Sequence, residues 1–328
     1  MMYFDNDGLP FLNQKARVTI GNIFFDHVHS IEIKESVTEL SDTAKVVLPR
    51  FFEKLDGKYP LDYIKAGDKV TIDYGYEETG IYREFTGYLR TISSDAPLEL
   101  ECDQLYPLRQ NNFVKSYRQV TLKQLLTLVT QGTFLKTIEA PEVQMGKWLV
   151  DNASTYQVLT KVKEQYGLFG RIYGDILHVG FAWDWRPGYT QTHVYNMQGN
   201  VKGNDLVYKT HDQFNVRVRV KIRGKKGKVA YIEAGSKDKD ATVHTIEYAA
   251  SSETVAKQIA DARLKKSVYD GYSGSVTGFG IPLTRAGDSL TIVNKREPYR
   301  EGTYLIEKVE KTYSSSGISR KNDIAFKL

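Results

Sequence analysis

With a single cysteine, Cys102, among its 328 residues, this chain cannot close a disulfide on itself, and a cysteine-based metal site would have to borrow ligands from elsewhere. No run of 18 apolar residues occurs, and residues 1–15 lack a basic segment followed by an apolar run. A soluble protein made in the cytoplasm, without membrane insertion, is expected. Charge of one sign is missing too: 45 Lys and Arg against 40 Asp and Glu leave +5, too small an excess to imply nucleic-acid binding. There is no Gly-x-Ser-x-Gly elbow, no His-Glu-x-x-His, no phosphate-cradling glycine loop ahead of a helix and no Cys-His signature. No catalytic residue, cofactor or metal ligand is therefore expected. Proline (9) and methionine (4) are scarce beside 22 Tyr and 14 Phe, a balance that suits twisted β-sheets.

What is present begins with a repeat. Ala66-Gly67-Asp68-Lys69-Val70-Thr71-Ile72 returns as Ala286-Gly287-Asp288-Ser289-Leu290-Thr291-Ile292, identical at five of seven positions. Tyr82-Arg83-Glu84 follows the first copy and Tyr299-Arg300-Glu301 the second, and the two spacings differ by three residues, which a hairpin loop absorbs. Each motif leads into alternating apolar and polar residues, at 85–92 and 303–309. A β-module is expected at each end of the chain, with Gly67 and Gly287 in the same turn and Val70/Leu290 and Ile72/Ile292 at the same core positions.

Around the first copy, short strands are read at 18–25 (a hairpin about Gly21-Asn22), 29–35 with Ile31 and Ile33 inward, 43–48, 69–74, 85–92 and 98–102, a compact antiparallel barrel or sandwich. The period then changes. Thr121 with Gln124 forms a capping box ahead of Leu122, Leu125, Leu126 and Val129, with Gly132 ending the run. Ser154 with Gln157 repeats the device ahead of Val158, Leu159 and Val162, stopped by Gly167, and residues 169–185 alternate as strands about Gly174-Asp175. This is a small α+β unit. Strand periodicity resumes over 205–223, Ser252 caps a helix carrying Val255, Ile259 and Ala262, and strands at 274–279, 289–293, 303–309 and 323–326 make the second copy, with the helix as an insertion. The predicted fold is mainly β with α+β parts, divided as 1–108, 109–197 and 198–328, the inserted helix lying at about 252–268.

Three constellations invite chemical readings. His27 and His29, two apart on an expected strand, lack a third ligand of matching spacing and are read as solvent-side histidines. Phe181, Trp183 and Trp185 share one face of an expected strand with Tyr189 beyond, a platform for stacking on a sugar ring or a buried core or subunit contact. A carbohydrate-binding module is the alternative function; a hydrolase, needing paired carboxylates across a cleft, ranks behind it. Arg217, Arg219, Lys221 and Arg223 line the polar face of the strand whose other face is Val216, Val218, Val220 and Ile222, and continue into the charged turn 224–228. The stripe is read as a solubilised edge or a protein contact, facing solvent or a partner and not a DNA-conducting bore.

The order of these pieces resembles the hub proteins of contractile phage tails, the late control protein D family, which is similar to the hub half of type VI secretion spike proteins. The matching stretches are 31–49 with its Ser36-x-x-x-Glu39-Leu40-Ser41-Asp42 turn, Ala66-Gly67-Asp68 followed by Phe85-Thr86-Gly87-Tyr88-Leu89, Asp151-Asn152-Ala153-Ser154 leading into a helix, Gly174-Asp175-Ile176-Leu177-His178-Val179-Gly180, the strand 215–223, and 278–283 running into Ala286-Gly287-Asp288. The resemblance implies two related small β-barrels about a small α+β domain. Three chains then form a ring of six barrels, an adaptor between a sixfold tail tube and a threefold spike in the virion baseplate, assembled in the bacterial cytoplasm. DNA would meet it only by passage through the channel. Interface residues from 60–105 and 280–328 and a structural, non-enzymatic role are expected; the chain departs from some of the family in having no attached lysozyme or needle domain, so spike and cell-wall cleavage would belong to separate proteins.

Overall fold

Period-2 alternation turns most of this chain into strands, and two capped amphipathic runs interrupt them. The computed structural model describes residues 13–49, 60–93, 97–180, 190–210, 213, 215–223, 229–247 and 253–328.

The first part contains β1 (Gln14–Ile20), β2 (Ile23–Phe25), β3 (Ser30–Ser36), β4 (Thr43–Leu48), β5 (Lys69–Tyr76), β6 (Gly80–Ile92) and β7 (Leu98–Asp103). They pair antiparallel in the order β3-β4-β7-β6-β5-β1-β2. Each strand turns one side-chain row inward, Val18, Ile31, Ile33, Val46, Ile72 and Leu100 among them, all fully or nearly buried in one core. The β1–β2 hairpin turns at Gly21 and sets Val18 against Phe25, as the pattern predicts.

The middle part contains β8 (Asn112–Thr121), α1 (Leu122–Val129), β9 (Thr137–Glu139), β10 (Gln144–Ser154), α2 (Thr155–Tyr166), β11 (Phe169–Tyr173) and β12 (Ile176–Gly180). Both capping boxes form: Thr121 with Gln124 and Ser154 with Gln157 exchange side-chain and backbone bonds. α2 ends at Gly167 in the left-handed conformation, φ +63°. α1 stops earlier than expected, at Val129 with Thr130 as its cap, whose backbone N–H and hydroxyl both bond the Leu126 carbonyl, the hydroxyl at 2.9 Å. Gly132 serves the following turn.

The last part contains β13 (Thr192–Asn196), β14 (Val201–Asn204), β15 (Val207–Lys209), β16 (Val216–Arg223), β17 (Val229–Gly235), β18 (Thr242–Glu247), α3 (Glu253–Ser267), β19 (Gly271–Gly278), β20 (Ser289–Val293), β21 (Gly302–Ser314) and β22 (Gly317–Lys327). The fold is mainly β with α+β parts. β19, β22 and β21 continue the first sheet, because β21 pairs antiparallel with β3 from Lys308 opposite Ser36 to Ser314 opposite Ser30. One sheet thus runs through both ends of the chain.

Two expectations change here. The periodic stretch 205–223 is two strands in different sheets: β15 pairs with β19, while β16 is the centre of a separate sheet ordered β17-β16-β18. Nor is the insertion a helix alone. β16, β17, β18 and α3 share a core of Val216, Val218, Val220, Ile222, Ala256 and Ala260. The side chains of Val255, Ile259 and Ala262, and Ser252 itself, lie outside the described residues.

Candidate functional site

The two Ala-Gly-Asp turns have the same backbone geometry. Gly67 sits at φ +93° and Gly287 at φ +95°, a region that side-chain-bearing residues rarely adopt. Gly67 N–H donates to the Leu89 carbonyl at 2.7 Å, and Gly287 N–H to that of Ile306 at 2.8 Å. Leu89 N–H returns a bond to Asp68 O and Ile306 N–H to Asp288 O. Each aspartate then accepts from the backbone three residues earlier: Lys65 N–H to Asp68 Oδ2 at 2.8 Å, Arg285 N–H to Asp288 Oδ2 at 3.0 Å. The bulge that follows also recurs, at Arg90 between Leu89 and Thr91 and at Glu307 between Ile306 and Lys308. Val70, Ile72, Leu290 and Ile292 are all fully buried.

The copies differ outside that core. Against β5 lies β1, antiparallel; against β20 lies β13, parallel. Asp288 carries extra partners at the start of this strand, Gln191 N–H at 3.0 Å and His193 Nε2 at 2.9 Å, which sequence reading did not single out. The Tyr-Arg-Glu motifs diverge as well. Residues 82–84 lie within β6, whereas Tyr299 and Arg300 form a single helical turn and Glu301 precedes β21. Glu301 accepts from Asn294 N–H at 2.8 Å, a local role.

Glu84 has a different task. It lies at the centre of a buried ion network that joins the two ends of the chain. Lys311 of β21 reaches both Glu35 of β3 and Glu84 of β6, the latter at 3.1 Å, and Arg320 of β22 pairs with Glu84. Arg320 is saturated further by the carbonyls of Gly280 (3.2 Å) and Thr284 (2.8 Å), and Glu35 accepts from Ala286 N–H in the second turn at 3.2 Å. Burial opposes ionisation of Glu84, but the charges of Arg320 and Lys311 prevail and hold its carboxyl below the usual range. Sequence reading named Glu84 only as part of a repeated motif and missed Glu35, Lys311 and Arg320. The signal for Arg320 was the alternation Ile318, Arg320, Asn322, Ile324, Phe326, which places a cation and an amide on the inward row of β22.

Beside the network opens a polar cleft of about 300 Å³ between the β3–β4 turn, β6, β11 and the second Ala-Gly-Asp turn. Arg171 donates to the Val37 carbonyl at 2.7 Å and Lys163 pairs with Glu39 at 3.2 Å, so the middle part is tied to its rim. Asp42 on the wall has its carboxyl pushed up to about 7, first by burial and then by the charge of Glu35. Cys102 is buried, and burial pushes its thiol up to about 12, the opposite of an activated nucleophile.

The other sequence candidates fall elsewhere. Phe181, Trp183 and Trp185 lie outside the described residues, as do Tyr189 and the turn 224–228. Arg217, Arg219 and Lys221 project from the face of β16 opposite α3. Arg217 donates to the carbonyls of Ser236 (2.7 Å) and Asp238 (2.6 Å), and Arg219 pairs with Glu233 at 2.6 Å. The side chain of Arg223 is outside the described set. His27 and His29 are exposed, in the β2–β3 connection and not on a strand. Among the described residues no group of three or more His, Cys, Asp or Glu is placed to hold a metal ion, and no helix is long and apolar enough to cross a membrane.

No protein-family model matches this chain, and no curated protein matches it in sequence. Solved structures do match in fold. A tail protein from Neisseria meningitidis MC58 is 14% identical, with 97% of each chain covered and a TM-score of 0.63. The 43 kDa tail protein of prophage MuSo2 from Shewanella oneidensis is 14% identical over 95% of this chain and 96% of that one, TM-score 0.62. An E. coli component of the type VI secretion system, described as structurally similar to the T4 bacteriophage tail proteins gp27 and gp5, is 8% identical over 94% of this chain and 76% of that one, TM-score 0.59. At such identities the likeness is one of fold, and the fold is that of phage tail and type VI secretion proteins.

Proposed function

We propose that this chain is a structural baseplate hub of a contractile phage tail or related injection machine, of the late control protein D class. The observation that carries the reading is the full-length fold match to tail proteins. Two turn-and-hairpin units with the same bonds, set in one sheet, support it further. Each end of the chain carries one such unit, and three chains place six of them about one axis. A trimer then presents sixfold quasi-symmetry to a tail tube and threefold symmetry to a spike. The role is mechanical, located in the virion tail, and DNA touches the assembly only in transit. The basic stripe of β16, of which Arg217 and Arg219 bond groups of their own sheet, faces solvent or a partner and not the channel.

Sedimentation of the 37.3 kDa chain over a range of concentrations tests this reading. A three-chain assembly is expected. A strict monomer at every concentration, or a twofold dimer, removes it.

A further inference from the structure

The joint between β3 and β21 within one chain implies a second joint between chains. Leu89 and Ile306 hold equivalent turns and precede equivalent bulges, so Thr91, Ile92 and Ser93 correspond to Lys308, Val309 and Glu310. The same correspondence sets Tyr82 against Tyr299. It extends across the neighbouring strands: Leu89 faces Cys102 and Cys102 faces Ala44, while Ile306 faces Ile324 and Ile324 faces Gly274. Ala44 therefore matches Gly274. Thr43 matches Ser273, and their partners Lys34 and Val207 match in turn. By this count β15 is the counterpart of β3, with Glu35 matching Tyr208 and Ser36 matching Lys209.

In one chain, β3 covers the edge of β21 beyond Ile306. The counterpart edge of β6 beyond Leu89 is open: among the described residues, β6 there pairs only with β7, and β15 pairs only with β19. The exposed side chains fit a missing partner. Val309, alongside β3, is fully buried, whereas its counterpart Ile92 is 37% exposed, and Val207 on β15 is 55% exposed. Unpaired strand edges with apolar side chains are templates for further pairing.

We propose that a second copy of this chain seats its β15 on the open edge of β6, antiparallel, with Thr91 opposite Lys209, Ile92 opposite Tyr208 and Ser93 opposite Val207. The contact is heterologous, one chain offering β6 and the next β15, so it repeats until a ring closes. It rests on the reading of the chain as a self-associating hub, and it names the surface: β15 of one chain lies against β6 of the next.

Oxidative cross-linking of a Thr91→Cys/Lys209→Cys variant tests the register. Directly opposed residues of an antiparallel pair stand about 4.5–5.5 Å apart at Cα, within disulfide reach. Buried Cys102 does not compete. Intermolecular disulfides ending in a covalent three-chain ring are expected, and none with Thr91→Cys/Lys123→Cys, whose second site lies on the exposed side of α1. Ile92→Arg should raise the concentration for half-assembly by about tenfold or more, with an unchanged far-UV spectrum. If the wild-type chain assembles while the Thr91/Lys209 thiols stay free, the edge assignment is overturned and the hub reading stands. A chain that is monomeric throughout overturns both.

Discussion

Lys311 shows what a single residue contributes to this molecule. It is 1% exposed on β21 and pairs with two carboxylates, Glu35 and Glu84, that come from distant parts of the chain. Desolvating three charges is costly, and only their mutual attraction offsets it, so removing one partner leaves the others uncompensated. Lys311→Ala is expected to lower stability by about 3–5 kcal/mol, read from the urea midpoint, while Glu35→Gln/Lys311→Met costs less than the sum of its parts. Asp42 acts in the opposite sense. Its folded pKa of about 7 lies above the unfolded value near 4, so its contribution to stability is complete below about pH 4 and is lost as pH rises through 7. Relative to the wild type, Asp42→Asn should gain stability between pH 5 and pH 8, approaching a plateau above pH 7. Parallel pH profiles of the two proteins would disprove this.

At the scale of elements, the turn that opens β5 and β20 is the device used twice. Its glycine has to reach φ near +95° while its N–H bonds the far strand, and no other residue type does both without strain. Gly67→Ala and Gly287→Ala are each expected to cost about 1–3 kcal/mol by chemical denaturation. A change that is neutral at one site and costly at the other would mean that the turns are not mechanically equivalent. The flanking strand explains why the copies were harder to equate in full: β1 enters by a hairpin and runs antiparallel to β5, whereas β13 arrives from the middle part and runs parallel to β20. A match of seven residues carries no information on the direction of a neighbour.

For the whole molecule, the chain leaves β15 at Lys209 and re-enters β19 at Gly271, and these two residues face each other across an antiparallel pair. Between them, β16, β17, β18 and α3 share a core of their own, while Tyr269 packs back onto Tyr304 of β21. Units joined through adjacent chain ends tolerate removal. Replacing residues 210–268 by Asn-Gly, which keeps Tyr269, should leave a protein that unfolds cooperatively, with Tm within about 5 °C of the full chain. Loss of the cooperative transition would show instead that the unit supports the long sheet.

How much was legible follows from the range of each interaction. The alternation that buries Ile31 and Ile33, the capping boxes at Thr121 and Ser154, and the Ala-Gly-Asp turns were readable, because each involves residues a few positions apart whose geometry the backbone dictates. By itself the sequence determined a mainly β chain with an α+β centre and a repeated hairpin at its ends. Only the tertiary structure decided that β3 and β21 join those ends into one sheet, that β13 runs parallel to its neighbour, and that Lys311 and Arg320 are interior residues. Pairing between strands more than 250 residues apart depends on which edges meet, and a buried cation is tolerable only where folding sets a carboxylate against it.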